Sequence, residues 1–372
     1  MKKTLILTAA LLAAATSLTA QNYVVNATVE GSTYVGQQAK LYDLSSQTTL
    51  DSAIVTKKGT FTFQGTVDQP QLAYISVKGK DRSSSSLNII LEPGDKKAST
   101  ITADITHDMV KGTPLNNRLN DYYKVVSSRS RQKELEKYYT QYVEAKDDAA
   151  RNRAEQLYDS VDNLDRQMLK EESLRAYSDN KDNVVGAYAM YVIASADGIT
   201  LKEVEDLLSD AGEAVTSYKP ILTIIDRLKR LEATAVGQHF TDFDCIDFET
   251  GEPTNLSNKI NGRLALVDFW ASWCRPCRHE IATNLIPLYE KYRDQLLILG
   301  VDVWDKPEKH REAVEQMGIK YPQIIDPTPN ATNLYGIEGI PHIMLVAPDG
   351  TILARDLRGE QIEKAILQTL GQ

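Results

Sequence analysis

Ala265-Leu266-Val267-Asp268-Phe269-Trp270-Ala271-Ser272-Trp273-Cys274-Arg275-Pro276-Cys277-Arg278-His279-Glu280 decides how the C-terminal third of this chain is read. The apolar, β-prone run from Leu264 to Trp270 predicts a buried strand, a short turn, and a helix beginning at or near Cys274. Two thiols three residues apart at a helix start can close a small disulfide and reopen it. Cys274 is the candidate nucleophile. Its thiolate would sit at the positive end of the helix dipole beside the Arg275 charge, and both lower a thiol pKa. Cys277 lies one turn inside, shielded and suited to resolving a mixed disulfide. Pro276 fits the first turn, where its missing N–H is no loss.

Plainer readings of the pair fare worse. A zinc site needs two more Cys or His ligands, usually in a second close pair; the chain offers one further cysteine and scattered histidines. Haem attachment needs His directly after the second cysteine, and Arg278 stands there. A static disulfide is disfavoured because a loop this small and exposed is usually labile or catalytic. No metal is expected, and no cofactor beyond the redox-active pair Cys274–Cys277.

This stretch resembles the active-site strand, turn and helix of the thioredoxin superfamily. A second signature follows at Gly339-Ile340-Pro341-His342-Ile343-Met344-Leu345-Val346, then the turn Pro348-Asp349-Gly350 and an amphipathic helix carrying Ile362, Ala365, Ile366 and Leu370. The resemblance covers roughly residues 234–372 and implies an α/β thioredoxin fold. It makes Pro341 the cis-proline that packs on the active-site disulfide, with Ile340 before it, and Trp273 a shield and partner contact beside the cysteines. It makes Asp268 a buried acid assisting deprotonation of the resolving cysteine; burial in a strand would let it hold a proton near neutrality. Within the superfamily the chain is similar to the TlpA/ResA type of membrane-linked or periplasmic thiol reductases. The cue is Glu280, three residues after Cys277, which places a carboxylate one turn on and nearly on the same face. There it could relay a proton to or from a cysteine, or be a solvated first-turn acid favoured by the helix dipole. The chain departs from the family pattern at His342, where threonine is common, and at Ala282, where a helix-kinking proline is usual. Pro287 is expected to bend the helix instead.

Cys245, the third cysteine, falls in an expected strand (Phe243 to Phe248) and reads as a small packed hydrophobe. Leu297 to Val303 predicts the next core strand. Trp304 follows at its C-terminal end, where α/β ligand crevices form, either bordering the substrate groove or packing on the strand end. Lys309 to Gln316 predicts a helix stopped by Gly318.

The chain opens with Lys2 and Lys3, a short apolar run and Leu18-Thr19-Ala20, which together read as a signal peptide over residues 1–20. The expected location is therefore the periplasm, where disulfides persist. Net charge is -9, more negative still once the two lysines are removed, which argues against nucleic acid as a partner.

Residues 21–112 read as a β-rich domain, an antiparallel sandwich. Its short runs are Val24–Val29, Ala39–Leu44, Ser52–Val55, Thr60–Gly65, Leu72–Val77 and Leu87–Leu91, separated by turn signals such as Lys57-Lys58-Gly59 and Glu92-Pro93-Gly94-Asp95. The pattern resembles an uncharacterised N-terminal domain found ahead of thioredoxin-like domains in Bacteroidetes-type proteins. Arg82 to Ser86 is expected as a hairpin tip. Residues 113–233 read as a helical region: Lys124–Ala150, Asn152–Ala176, Val184–Ala196, a helix opened by the capping box Thr200-Leu201-Lys202-Glu203, and Ser217–Glu232. The many tyrosines there read as helix packing rather than a ligand patch. Residues 234–372 form the thioredoxin-like domain.

The function these readings imply is dithiol–disulfide exchange on protein disulfides, most simply as a periplasmic reductase. Strong oxidants of the superfamily tend to carry His between the cysteines, whereas this chain carries Arg275-Pro276, with Ile340 before Pro341. A reductase in an oxidising compartment needs re-reduction, which implies a membrane electron donor. The alternatives are a disulfide oxidase or isomerase, or an envelope binding protein using a redox-capable domain as an adaptor. Oligomeric state is not legible.

Overall fold

The computed structural model describes residues 22–95 and 97–371, so residues 1–20, which were expected to be a signal peptide, lie outside the described residues. The described chain divides into two compact units. The first runs through Ile199 and includes Asp206–Leu222; the second holds Thr200–Glu205 and everything from Thr223 on. None of the described helices is long and apolar enough to cross a membrane.

The first unit begins with eight strands: β1 (Tyr23–Thr28), β2 (Gln38–Asp43), β3 (Thr49–Ile54), β4 (Thr60–Gly65), β5 (Gln71–Lys78), β6 (Ser84–Leu91), β7 (Ser99–Asp104) and β8 (Met109–Lys111). They form two four-stranded sheets, ordered β4-β1-β7-β8 and β3-β2-β5-β6. Alternation decides which side chains go inside: Tyr23, Val25 and Ala27 of β1, Phe61 and Phe63 of β4, and Ala39 and Leu41 of β2 are buried while their neighbours are not. Pairing is antiparallel except between β1 and β7, which run parallel from Tyr23↔Ser99 to Thr28↔Asp104. The sequence reading missed β7 and β8, because β7 (Ser-Thr-Ile-Thr-Ala-Asp) buries only Ile101 and Ala103 and its polar positions mask the strand. It also set the hairpin tip too late. Ser84, Ser85 and Ser86 pair with Lys78, Val77 and Ser76, so the ladder absorbs the serines.

Seven helices follow: α1 (Pro114–Arg129), α2 (Gln132–Glu144), α3 (Asp148–Ser178), α4 (Val184–Ala194), α5 (Leu201–Leu208), α6 (Glu213–Thr216) and α7 (Lys219–Ala233). The single helix expected over Lys124–Ala150 is broken twice. Ser130 and Ala145 leave the helical region for extended backbone, and Asp147 starts α3 by accepting the Ala150 N–H at 2.8 Å. The Thr200–Glu203 capping box forms as expected: the Glu203 N–H donates to Thr200 Oγ1 at 3.2 Å and the Thr200 N–H to Glu203 Oε2 at 2.8 Å. Tyr122, Tyr123 and Tyr188 pack on one another, with ring centroids 6.0–6.4 Å apart.

The second unit is built on a seven-stranded sheet ordered β10-β9-β13-β12-β11-β14-β15. Its elements are β9 (Asp244–Asp247), β10 (Pro253–Asn255), α8 (Leu256–Ile260), β11 (Ala265–Trp270), α9 (Arg275–Glu280), α10 (Ile286–Tyr292), β12 (Leu297–Asp302), α11 (Pro307–Met317), β13 (Gln323–Ile325), α12 (Asn330–Leu334), β14 (His342–Val346), β15 (Ile352–Ala354) and α13 (Glu360–Leu370). β11, β12 and β13 are parallel, and β14 returns antiparallel beside β11. Every residue of β11 and β12 is buried, as expected for strands covered on both faces. One apolar layer gathers Leu266 and Trp270 with Cys274, Cys277, Ile281, Leu285, Ile362 and Ile366. The other gathers Ala265, Val267 and Phe269 with Leu256, Ile260 and Tyr335. This is the thioredoxin arrangement that the resemblance implied.

Candidate active site

The site forms where β11 ends. The turn after Trp270 leads to Cys274, the N-cap of α9, whose Sγ accepts the Cys277 N–H at 3.2 Å. Pro276 occupies the first turn. Cys274 and Cys277 are joined in a disulfide. The sequence reading expected an exposed loop, but packing under the sheet's apolar layer leaves Cys274 only 4 % exposed and Cys277 fully buried. Arg275 and Pro276 are exposed. The Ile340–Pro341 peptide bond is cis, Pro341 is buried, and the Ile340 carbonyl oxygen lies 3.6 Å from Cys274 Sγ.

Asp268 sits on β11 with its side chain on the cysteine face, since the period of two puts it with Leu266 and Trp270. It is 1 % exposed, and neither carboxylate oxygen has a hydrogen-bond partner among the described residues. Burial first, and then the Glu280 carboxylate, push its pKa up to about 8, while the Arg358 charge pulls it back. A carboxyl that holds its proton to about pH 8 can exchange it with a thiol in the neutral range.

Glu280 is not the solvated first-turn acid of the plainer reading. It is 8 % exposed, and its Oε1 accepts from Asn284 Nδ2 and from the Gly359 N–H, both at 2.8 Å. Beside it, Arg358 donates through Nη2 to the Pro341 carbonyl oxygen and pairs with Asp356 at 2.9 Å. The Arg358-Gly359 turn thus joins the cis-proline loop to the helix that carries both cysteines. The sequence reading passed over both residues. The available signal was a glycine, at φ +52°, just before the final amphipathic helix.

The helix changes form before Pro287. Ile281–Leu285 forms a π turn in which the Ile286 N–H reaches the Ile281 carbonyl. Pro287 has no N–H to continue the α ladder, and widening the preceding turn accommodates that loss.

Two tryptophans flank the cysteines. Trp273 is 61 % and Trp304 39 % exposed, and Trp273 Nε1 donates to the Trp304 carbonyl at 3.0 Å. Trp304 holds φ +56°, a backbone region uncommon for a bulky residue. His342 points elsewhere. It packs on Phe269, with centroids 6.0 Å apart, and burial first, then Arg355, lower its pKa to about 4. Cys245 is also remote from the pair: it is buried in the opposite apolar layer, and burial pushes its thiol up to about 12.

A two-cysteine helix start under a cis-proline loop, on a thioredoxin fold, defines the class of protein: one built for thiol–disulfide exchange. Comparison with known proteins narrows this. Residues 236–355 match the AhpC/TSA family, and residues 23–119 match a domain of unknown function, DUF4369. The thiol-disulfide oxidoreductase ResA of Geobacillus thermodenitrificans is 30 % identical over 122 residues, covering 32 % of this chain and 68 % of that protein. The thiol:disulfide interchange protein HelX of Rhodobacter capsulatus is 35 % identical over 127 residues, 34 % of this chain and 62 % of that protein. The solved thioredoxin domain of a thiol-disulfide oxidoreductase from Bacteroides vulgatus is 29 % identical, covers 36 % of this chain and 97 % of that one, and has a TM-score of 0.34. The chain belongs to the thioredoxin-like thiol-disulfide oxidoreductases of the AhpC/TSA family that include ResA, with a DUF4369 domain at its N-terminal end.

Proposed function

We propose that this enzyme reduces protein disulfides outside the cytoplasm, with Cys274 as nucleophile and Cys277 as resolving thiol. The observation that carries the assignment is the unequal exposure of the pair over a buried acid. Cys274 keeps a sliver of accessible surface, Cys277 keeps none, and Asp268 lies on the same face of the sheet. An incoming disulfide therefore meets Cys274 first.

In the forward reaction the Cys274 thiolate attacks one sulfur of the substrate disulfide. A new S–S bond forms, and the other substrate sulfur leaves as a thiolate with the bonding electrons. Cys277 then gives its proton to the Asp268 carboxylate and attacks Cys274 Sγ. The Cys274–Cys277 disulfide closes and the second substrate thiolate departs. The substrate gains two electrons and, from solvent and the site, two protons. Glu280 sets the charge beside Asp268. Trp273, Arg275, Pro276, Ile340 and Pro341 frame the surface that a substrate chain meets.

The reducing direction rests on Arg275-Pro276 between the cysteines. The location rests on the signal-like residues 1–20. Return to the dithiol form is assigned to a membrane electron donor. Equilibration in dithiothreitol or glutathione buffers tests the direction: a potential below roughly -220 mV is expected, and one near -120 mV overturns it in favour of an oxidase. The exchange chemistry is tested with Cys277→Ser, which should accumulate mixed disulfides through Cys274 in cells. If no partner is trapped and Cys274→Ser leaves the cellular phenotype intact, the protein acts as a binding adaptor instead.

A further inference from the structure

A second cluster lies behind the active-site turn, and the exchange chemistry makes no use of it. Asp302 ends β12, Asp305 sits in the loop that follows, and His310 lies in the first turns of α11. One side-chain ligand atom from each falls within 4.8 Å of the others. His310 is fully buried and Asp302 is 1 % exposed. The His310 ring is held between Trp270 and Phe248, at centroid distances of 4.5 and 5.6 Å.

Among the described residues, both carboxylate oxygens of Asp302 and both ring nitrogens of His310 lack an aligned hydrogen-bond partner. His310 Nδ1 lies 3.2 Å from Asp302 Oδ1, which is ion-pair distance without hydrogen-bond alignment. Buried polar groups in that condition are rare, and an unseen ion is one of the few explanations for them. A shared cation explains the spacing as well. Metal–nitrogen and metal–oxygen bonds near those of zinc place two ligand atoms of one tetrahedral ion roughly 3.3 Å apart. Asp305 is only partly buried, and its carboxylate oxygens also accept the Ser272 and Lys306 N–H groups.

We propose that Asp302, Asp305 and His310 bind one divalent transition-metal ion of the zinc class, with the remaining coordination position open to water. One imidazole and two carboxylates form a donor set suited to such an ion. The sequence reading expected no metal, because its search was for paired Cys and His ligands, and Asp-x2-Asp-x4-His carries no such signature.

The site would work as a clamp on the catalytic turn. Asp305 Oδ2 accepts the Ser272 N–H at 2.6 Å, and the neighbouring Trp304 carbonyl accepts Trp273 Nε1. A cation drawing Asp302, Asp305 and His310 together fixes the loop that holds both residues preceding Cys274.

The test uses the full mature chain without a polyhistidine tag, kept oxidised so that Cys274 and Cys277 cannot ligate. Co2+ is titrated while its visible absorption is followed, and Zn2+ is titrated in competition with a chromophoric chelator. One equivalent of each is expected to bind. Asp305→Asn removes the partly exposed ligand without touching the core, and should bind at least about tenfold more weakly while keeping the wild-type circular dichroism. The bound ion should also raise the unfolding temperature of wild type and not of Asp305→Asn. Absence of stoichiometric binding by the oxidised wild type, or equal affinity in Asp305→Asn, overturns the proposal.

Discussion

The Gly359 N–H donates to Glu280 Oε1 at 2.8 Å, so the carboxylate one turn beyond Cys277 is tied to a turn far along the chain. That tie keeps Glu280 buried close to Asp268, where its charge acts on the acid behind the cysteines. Glu280→Gln retains an oxygen for the Gly359 N–H and removes the charge. Because Glu280 raises the Asp268 pKa, the variant should move the midpoint of the Cys277 resolution step toward acid, by up to about one pH unit. Stopped-flow rates of mixed-disulfide resolution against pH read it. An unmoved midpoint would disconnect Glu280 from Asp268.

Arg358 should act in the opposite sense. Its charge lowers the Asp268 pKa, and its guanidinium holds the Pro341 carbonyl. Arg358→Ala is expected to shift the same midpoint toward alkali and to weaken substrate binding, with Arg358→Lys restoring the midpoint more than the binding. A variant that changes only the unfolding temperature would make Arg358 a structural residue alone.

Asp268 and His342 leave opposing marks on stability. The Asp268 pKa is raised in the folded state, so its contribution is fully present below the unfolded carboxyl value and is lost as pH rises toward about 8. The His342 pKa is lowered to about 4, so its contribution is present above the unfolded imidazole value of about 6.5 and is lost as pH falls toward 4. Between about pH 4 and 6.5 the two slopes cancel. From about 6.5 to 8 Asp268 acts alone, and stability should fall by about 1.4 kcal/mol per pH unit on its account. Chemical denaturation of Asp268→Asn at pH 6.5 and 8 checks this: the variant should lose that slope.

In the β-rich part, Glu92 is 7 % exposed and its Oε1 accepts the N–H groups of Leu115 and Asn116, both at 3.1 Å. It also accepts the Thr113 hydroxyl. One carboxylate therefore caps the start of α1 from the Glu92-Pro93-Gly94-Asp95 corner. Glu92→Ala strands these donors and should cost about 1–3 kcal/mol, measured by urea unfolding. A loss under about 0.5 kcal/mol, the scale of ordinary surface substitutions, would mean the cap is dispensable.

Gly59 closes the Lys57-Lys58-Gly59 turn at φ +74°, and an added Cβ would lie 2.4 Å from the Val29 carbonyl oxygen. Gly59→Ala should destabilise the first unit by roughly 1–3 kcal/mol, seen as a lower denaturation midpoint with the Cys274–Cys277 potential unchanged.

Much of this was already written in the chain. The run Ala265 to Trp270 gave its strand because it is apolar without interruption apart from Asp268. Cys274-Arg275-Pro276-Cys277 gave the helix start because Pro276 suits a first turn. The Thr200–Glu203 box gave a helix start for the same local reason. Such features depend on neighbours a few residues apart, and a sequence states them directly. What depended on distant residues was not legible. β7 is a strand only because β1 lies beside it. Ser84 to Ser86 are a strand only because β5 pairs with them. Glu280 reads equally as a proton relay or a solvated acid until the fold buries it and brings the Gly359 N–H, far along the chain, to its carboxylate. Asp302, Asp305 and His310 share no motif and meet because β12, its loop and α11 fold back on one another beside Trp270. The sequence determined the local elements and the identity of the thiol pair. Only the tertiary structure decided which charges are buried beside that pair, because burial and mutual approach are properties of the packed chain and not of any segment of it.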